Sequence, residues 1–367
     1  MSEKRIWLDC DPHMIFDKGH DDATAILLAL HIPGVKLLGL STVHGNTDAD
    51  NTFKNALRCL HAFGADPSVL VHRGASVPLL KAAKHDPEIH GFDGLGGVEG
   101  LPDSDHPLVR ARSEKSQSCR AVEGIANAVQ DMIKGGTDGK LTIVSTGPMT
   151  NIALFVSIYP DLLDGVEEFV FMGGGVGLGN RSAVAATTKE YNILCDPEAA
   201  QIVLNTSVKK TMVPINVTHT AIVTKSIHSA LLDPSQFNTE NLPPAKTPLR
   251  HTLSTLICFF AASYESTFGF TAGPPLHDAL TIAYVAFPSL FKCTRRRVDV
   301  ELAGVHTTGE TVVDMWNYRQ CDDSWGREGR NCLVAEQLDV DGFFRLFLDC
   351  VERCDAESPL NKTQCTS

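Results

Sequence analysis

The chain lacks most of what marks an exported, membrane-bound or nucleic-acid-binding protein. No window approaches the roughly 18 uninterrupted apolar residues of a membrane span. The opening, MSEKRIWLDCDP, turns polar before an export signal could form. The 11 cysteines include no Cys-x-x-Cys pair, and their odd number suits reduced thiols better than a disulfide frame. Cys350 and Cys354, four apart, share one side of a helical stretch. A cytoplasmic protein is the expectation. Cations are scarce as well: 32 Lys+Arg stand against 44 Asp+Glu, a formal charge of −12. The one tight basic run, Arg295-Arg296-Arg297, is too short for a phosphate-binding face, so neither nucleic acid nor membrane is an expected partner. Repeats and low-complexity tracts are missing, and 43% hydrophobic with 21% charged residues is ordinary globular composition.

What is present is an alternation. Strand-like apolar runs at 6–11, 35–45, 68–74, 140–148, 166–175 and 209–218 are interleaved with helical patterns at 23–31, 52–64, 121–135, 149–160 and 197–207. Such βαβα order predicts an α/β fold, a mostly parallel central sheet with helices on both faces in the manner of an open Rossmann-like sheet. The length allows two domains, but the polar stretches 102–120, 234–251 and 318–331 read as surface loops rather than linkers. The expectation is one domain over 1–355, followed by a polar tail at 356–367. Functional groups in this architecture gather where strands end and helices begin.

The first strand end carries Asp9-Cys10-Asp11, and Asp21-Asp22 opens the first helix. Four carboxylates this close repel one another unless a cation or a proton intervenes. Oxygen ligands without nearby Cys or His indicate a hard ion, Ca²⁺ or Mg²⁺, rather than zinc. Helix capping with a solvated acid loop is the structural alternative. An EF-hand is excluded, because Asp11 is followed by Pro-His-Met instead of the x-Asp-Gly spacing. An Asp-nucleophile phosphatase of the haloacid-dehalogenase type, with Asp9 as nucleophile, remains as a competing enzyme class despite a poor motif match.

Gly173-Gly174-Gly175-Val176-Gly177-Leu178-Gly179 follows a strand but fits no frame of Gly-x-Gly-x-x-Gly, and no Walker lysine follows it. A plain glycine turn accounts for it. Beyond it stand Asn180, then Glu190-Tyr191-Asn192 and Asp196. Amides and carboxylates beside a turn suit a ligand rich in hydroxyls, since each satisfies several of them. His277-Asp278, after Gly273-Pro274-Pro275-Leu276, opens an apolar helix and reads equally as a simple cap.

Taken in order, Asp9-x-Asp11, Gly19-His20-Asp21-Asp22, Val43-His44-Gly45-Asn46, His90-Gly91-Phe92-Asp93, Thr146-Gly147-Pro148-Met149-Thr150-Asn151, Met172-Gly173-Gly174, Glu190-Tyr191-Asn192 and Leu276-His277-Asp278 form a series that resembles the inosine–uridine preferring nucleoside hydrolases. The likeness runs from about residue 5 to 350. It implies Ca²⁺ held by Asp11, Asp22, the Thr146 carbonyl and Asp278, with Asp11 also taking a proton from a Ca²⁺-bound water. It implies ribose contacts from Asp21, Asn46, Glu190 and Asn192, with Asn180 and Met172 nearby. His277 would help the base leave. His90 would stand on the base side, and Tyr264, Phe268 and Phe270 would form an aromatic lid. His44 and His61 are expected to be structural. A small ribonucleoside substrate follows, with a lean toward uridine and then cytidine or inosine, and a homo-oligomer, dimer or tetramer.

One departure stands out. The family's first motif runs Asp-x-Asp-Pro-Gly-x-Asp-Asp without a break, whereas here His13-Met14-Ile15-Phe16-Asp17-Lys18 separate Pro12 from Gly19. Either the six residues loop outward and leave the acids together, or the cation site is lost and the chain is a catalytically impaired nucleoside-binding relative.

Overall fold

The computed structural model describes residues 3–12, 20–83, 98–135, 139–177, 190–236 and 241–362. In chain order its elements are β1 (Lys4–Cys10), α1 (His20–His31), β2 (Val35–Thr42), α2 (Ala49–Ala62), β3 (Val71–Arg73), α3 (Pro107–Ser116), α4 (Ala121–Lys134), β4 (Leu141–Ser145) and α5 (Thr150–Ile158). There follow β5 (Val166–Met172), α6 (Tyr191–Cys195), α7 (Pro197–Leu204), β6 (Lys209–Val213), α8 (Ile215–Thr218), α9 (Lys225–Leu232), α10 (Pro248–Phe268) and α11 (Ala279–Ala286). The last are β7 (Phe291–Val300), β8 (Thr311–Asp314), β9 (Cys332–Leu338) and α12 (Val340–Glu357).

The nine strands form one sheet in the order β3-β2-β1-β4-β5-β6-β9-β7-β8. From β3 to β9 every pairing is parallel, and β7 and β8 then run antiparallel at the edge. Strands buried on both faces should be largely apolar, and β4, buried throughout, and the Phe169–Met172 part of β5 are. One face packs on α1, α2, α10, α11 and α12 through Ile26, Leu60, Ile257, Leu280 and Phe347. The other packs on α4, α5 and α7 through Ile125, Phe155 and Leu204. The fold is therefore the single α/β domain with a mostly parallel sheet that the alternation predicts.

Helix starts carry local signatures. Asp48 accepts from the Asp50 and Asn51 amides at α2, and Asp196 caps α7 ahead of Pro197. Thr247 caps α10 ahead of Pro248, and that helix stops at Gly269, whose φ of 75° is left-handed.

Two loop readings need correction. The stretch 102–120 contains α3, whose Val109, Arg112 and Ser116 are buried; its mean polarity hides an inward face. The segment 234–251 ends inside α10, because Pro248 is a good first helical residue. The antiparallel edge was not anticipated. Arg295-Arg296-Arg297 lies within β7, where the Arg297 side chain is only 5% exposed and bonds to Asp299. The tail boundary at 355/356 falls inside α12, and beyond that helix Ser358 Oγ donates to the Ala62 carbonyl.

Candidate active site

The C-terminal ends of β1, β2, β4 and β5 lie side by side, and the residues following them build the site. Asp11, just past β1, is fully buried; its Oδ2 accepts the Asn46 amide at 2.8 Å. Asp22, also fully buried, accepts from the Thr146 hydroxyl at 2.7 Å and from the Asp11 amide. Ligand oxygens of Asp21, Asp22 and Asp278 all lie within 4.8 Å of one another. Asp11, before the 13–18 insertion, is bonded through its amide to Asp22 after it, although its own carboxylate is not among the three that gather; the insertion itself lies outside the described residues.

Their protonation behaviour follows. Burial, and then the Asp22 charge, raises the Asp11 pKa well above the ordinary carboxylate value. Burial and then Asp21 do the same to Asp22 and to Asp278. Asp11 Oδ1 and Asp22 Oδ2 are buried with no hydrogen-bond partner among the described residues. Orphaned carboxylate oxygens in an all-oxygen cluster fit a hard divalent cation. The packing also requires glycine here: a Cβ on Gly147 would stand 2.6 Å from Asp11 Oδ1.

Asp9, two residues earlier, has a different setting. It is fully buried, and its Oδ1 accepts from Ser41 Oγ and, at 2.8 Å, from Asn151 Nδ2. Burial raises its pKa to about 7. Ser41 and Asn151 tie this carboxyl to the neighbouring strand and helix, a structural setting that offers no support to Asp9 as a nucleophile.

Glu190 caps α6, accepting the Asn192 and Ile193 amides at 2.9 and 3.0 Å and the Gly174 amide at 2.8 Å. Asn192 Nδ2 donates to the Thr146 carbonyl at 3.0 Å and the Met172 carbonyl at 3.2 Å. Thr146, Met172, Glu190 and Asn192 therefore form one polar wall beside the acids. The Thr146 carbonyl keeps a second lone pair for a further partner. Asn180 and His90 lie outside the described residues.

The opposite wall is aromatic. His277, 4% exposed, bonds through Nδ1 to Thr218 Oγ1 and through Nε2 to Tyr264 Oη, both at 2.7 Å. Tyr264 packs against Phe268 and Phe270 with centroids 4.9 and 5.4 Å away. An isolated Ile222–Pro275 bridge, with the Leu276 amide bonded to the Ala221 carbonyl, pins this segment beside residues 218–219. Thr218 and His219 were not anticipated, since neither belongs to any motif read from the chain. His44 is buried and bonds to Thr150 Oγ1 at 2.9 Å, and Thr150 bonds to Asp196 at 2.7 Å. His61 stacks on His106 away from these groups.

A parallel sheet whose strand ends gather buried acids and amides is an arrangement suited to a hard cation and a hydroxyl-rich ligand. The sequence profile of the inosine-uridine preferring nucleoside hydrolases matches residues 6–345. A protein of that description from Leishmania major is 35% identical over 95% of this chain and 98% of its own length. A pyrimidine-specific ribonucleoside hydrolase of Citrobacter koseri is 36% identical over 85% of this chain and 88% of its own. Among solved structures, a purine-preferring ribonucleoside hydrolase from Gardnerella vaginalis superposes with a TM-score of 0.77 at 28% identity, covering 96% of this chain and 99% of that one. The chain belongs to the inosine–uridine preferring nucleoside hydrolase family, a metal-dependent family of glycosyl hydrolases acting on ribonucleosides. No helix among the described residues is long and apolar enough to cross a membrane.

Proposed function

We propose that the chain is a Ca²⁺-dependent ribonucleoside hydrolase that releases free base and ribose, with uridine as the foremost substrate and cytidine and inosine after it. The observation that carries this reading is the cluster of Asp21, Asp22 and Asp278, with Asp11 bonded to Asp22 through its amide and Glu190 close to Asp278. Asp11, Asp22, Asp278 and the Thr146 carbonyl would hold the ion, which neutralises the carboxylates and lowers the pKa of a nearby water. Asp11, through its unpartnered Oδ1, takes the proton of the attacking water. Asp21, Asn46, Glu190 and Asn192 hold the ribose hydroxyls, with Met172 alongside; Asn180, outside the described residues, is assigned to the same role. The buried negative charge favours the oxocarbenium character that develops on the sugar as the bond to the base breaks.

Departure of the base falls to the aromatic wall. The Thr218 hydroxyl donates to the Ile215 carbonyl, so it accepts from His277 Nδ1–H and leaves Nε2 to accept from Tyr264. When His277 is protonated, Nε2–H donates to the phenol oxygen instead and frees the Tyr264 proton for the base. His90, outside the described residues, and Phe268 are assigned to the base in this reading. Uridine preference draws support from the relatives named for uridine and pyrimidines.

Calorimetric Ca²⁺ titration together with base release from uridine, cytidine and inosine tests the reading. Tight Ca²⁺ binding with turnover is expected. Tight binding without release of any base would overturn it, and weak binding without turnover would favour the catalytically impaired relative. A cytoplasmic homo-oligomer, dimer or tetramer, completes the reading. The ten described cysteines are all free thiols, which agrees with a reducing compartment, and light scattering measures the assembly.

A further inference from the structure

We infer that His219 determines base specificity, donating a ring N–H to the exocyclic carbonyl oxygen of the departing base; the inference rests on the nucleoside hydrolase reading above. His219 follows α8 directly, and its backbone amide bonds to the Ile215 carbonyl, so the ring is carried on an anchored turn. The Ile222–Pro275 bridge folds that turn against the His277 segment. The His219 ring lies edge-on to Phe270 with centroids 5.0 Å apart and tilted against His277 at 5.5 Å. It is half-buried in the wall that also contains Tyr264.

Phenylalanine would fill this place equally well by packing. The imidazole here is half-buried, and neither nitrogen has a hydrogen-bond partner among the described residues. A polar edge kept unpaired in an apolar wall calls for an external partner. Burial lowers the ring's pKa to about 4, so it is neutral in ordinary buffers and presents one donor and one acceptor.

The chemistry of the reaction selects the donor. As the glycosidic bond breaks, its electron pair moves onto the base, and negative charge spreads to any exocyclic carbonyl. An N–H aimed at that oxygen strengthens toward the transition state and so accelerates the reaction rather than merely tightening binding. Bases carrying a carbonyl at this position, uracil and hypoxanthine, gain from it. Bases carrying an amino group there, cytosine and adenine, do not. His277, Tyr264 and Thr218 form one bonded chain that serves departure of any base, and His219, outside that chain, is placed to discriminate between bases.

The test compares wild type with His219→Phe, which keeps the ring packing, and with His219→Gln, which restores an N–H donor. Substrates are uridine, cytidine, inosine, adenosine and 4-nitrophenyl riboside, whose leaving group needs no donor. His219→Phe is expected to lower kcat/KM for uridine and inosine by about ten- to hundredfold, with the loss mainly in kcat. Cytidine and adenosine should fall less, bringing the uridine-to-cytidine ratio toward one, and 4-nitrophenyl riboside turnover should hold within about twofold. His219→Gln should recover part of the uridine rate. An unchanged uridine-to-cytidine ratio in His219→Phe, or a parallel loss on 4-nitrophenyl riboside, overturns the inference while leaving the hydrolase reading intact. Wild-type protein that cleaves none of the five substrates overturns the reading and the inference together.

Discussion

The two walls of the site solve opposite problems. On the acid side, Asp11, Asp22 and Asp278 are buried against their own repulsion, and hydrogen bonds from Asn46 and Thr146 offset only part of the cost. On the aromatic side, Tyr264, His277 and Thr218 form a bonded chain whose polar atoms partner one another. The first wall leaves carboxylate oxygens unpartnered among the described residues, whereas the Tyr264–His277–Thr218 chain of the second is bonded within itself. The difference separates what ligand binding must stabilise from what packing already holds, and each wall should therefore answer to a different perturbation.

The largest effect is expected from Asp11→Asn. Losing the base should lower release of uracil from uridine by about a thousandfold, while removing one of the repelling charges raises the melting temperature of the metal-free protein. A variant that is both inactive and less stable without metal would contradict the repulsion argument. Tyr264→Phe comes next: kcat should fall about ten- to hundredfold with KM nearly unchanged. Its Ca²⁺-dependent shift in melting temperature should match wild type, because the aromatic wall contributes nothing to the ion.

Stability against pH sharpens the comparison further. In chelator, the acid-side carboxylates hold protons in the folded state at pH values where the unfolded chain has released them. Asp9, raised to about 7 from 3.8, sets a window: its stabilising contribution is complete below the lower value and is lost as pH rises through the upper one. The metal-free protein should therefore melt at progressively lower temperature across that window. Ca²⁺ at about a hundred times its Kd should restore roughly 2.7 kcal/mol, with the larger gain at the alkaline end. A flat pH dependence in chelator would remove the basis of the contrast. The smallest effect belongs to Phe268→Ala. With Phe268 already 42% exposed, a rise in KM of about fivefold is expected, with Ca²⁺ affinity unaltered.

Much of this was legible from residue order. Apolar runs between helical patterns sufficed for the parallel sheet, because strands buried on both faces must be apolar along their length. Asp9, Asp11, Asp21 and Asp22 stood out because acids concentrated at a strand end are costly and need a reason, whereas Asp278 was legible only through the family resemblance. The edge strands β7 and β8 were illegible: Arg295-Arg296-Arg297 breaks the apolar run, and only the Asp299 side chain and the carbonyls of residues 326–329 explain how Arg297 is accommodated. Helix α3 was hidden for a similar reason, since Arg112 is buried by donating to the carbonyls of Ala65, Asp66 and Val69.

The acid excess, the order of motifs and the helix-start residues belong to the chain itself, since each depends on residue type and local spacing. What the tertiary structure decided is who meets whom. Asp11 and Asp22 are brought together across an insertion by an amide–carboxylate bond, and Asp278 joins them from 256 positions beyond Asp22 in the chain. His219 reaches His277 through a bridge between segments that carry no common motif. Hydrogen bonds and Coulomb forces act over a few ångströms of space, and sequence separation leaves that distance open until the sheet has formed.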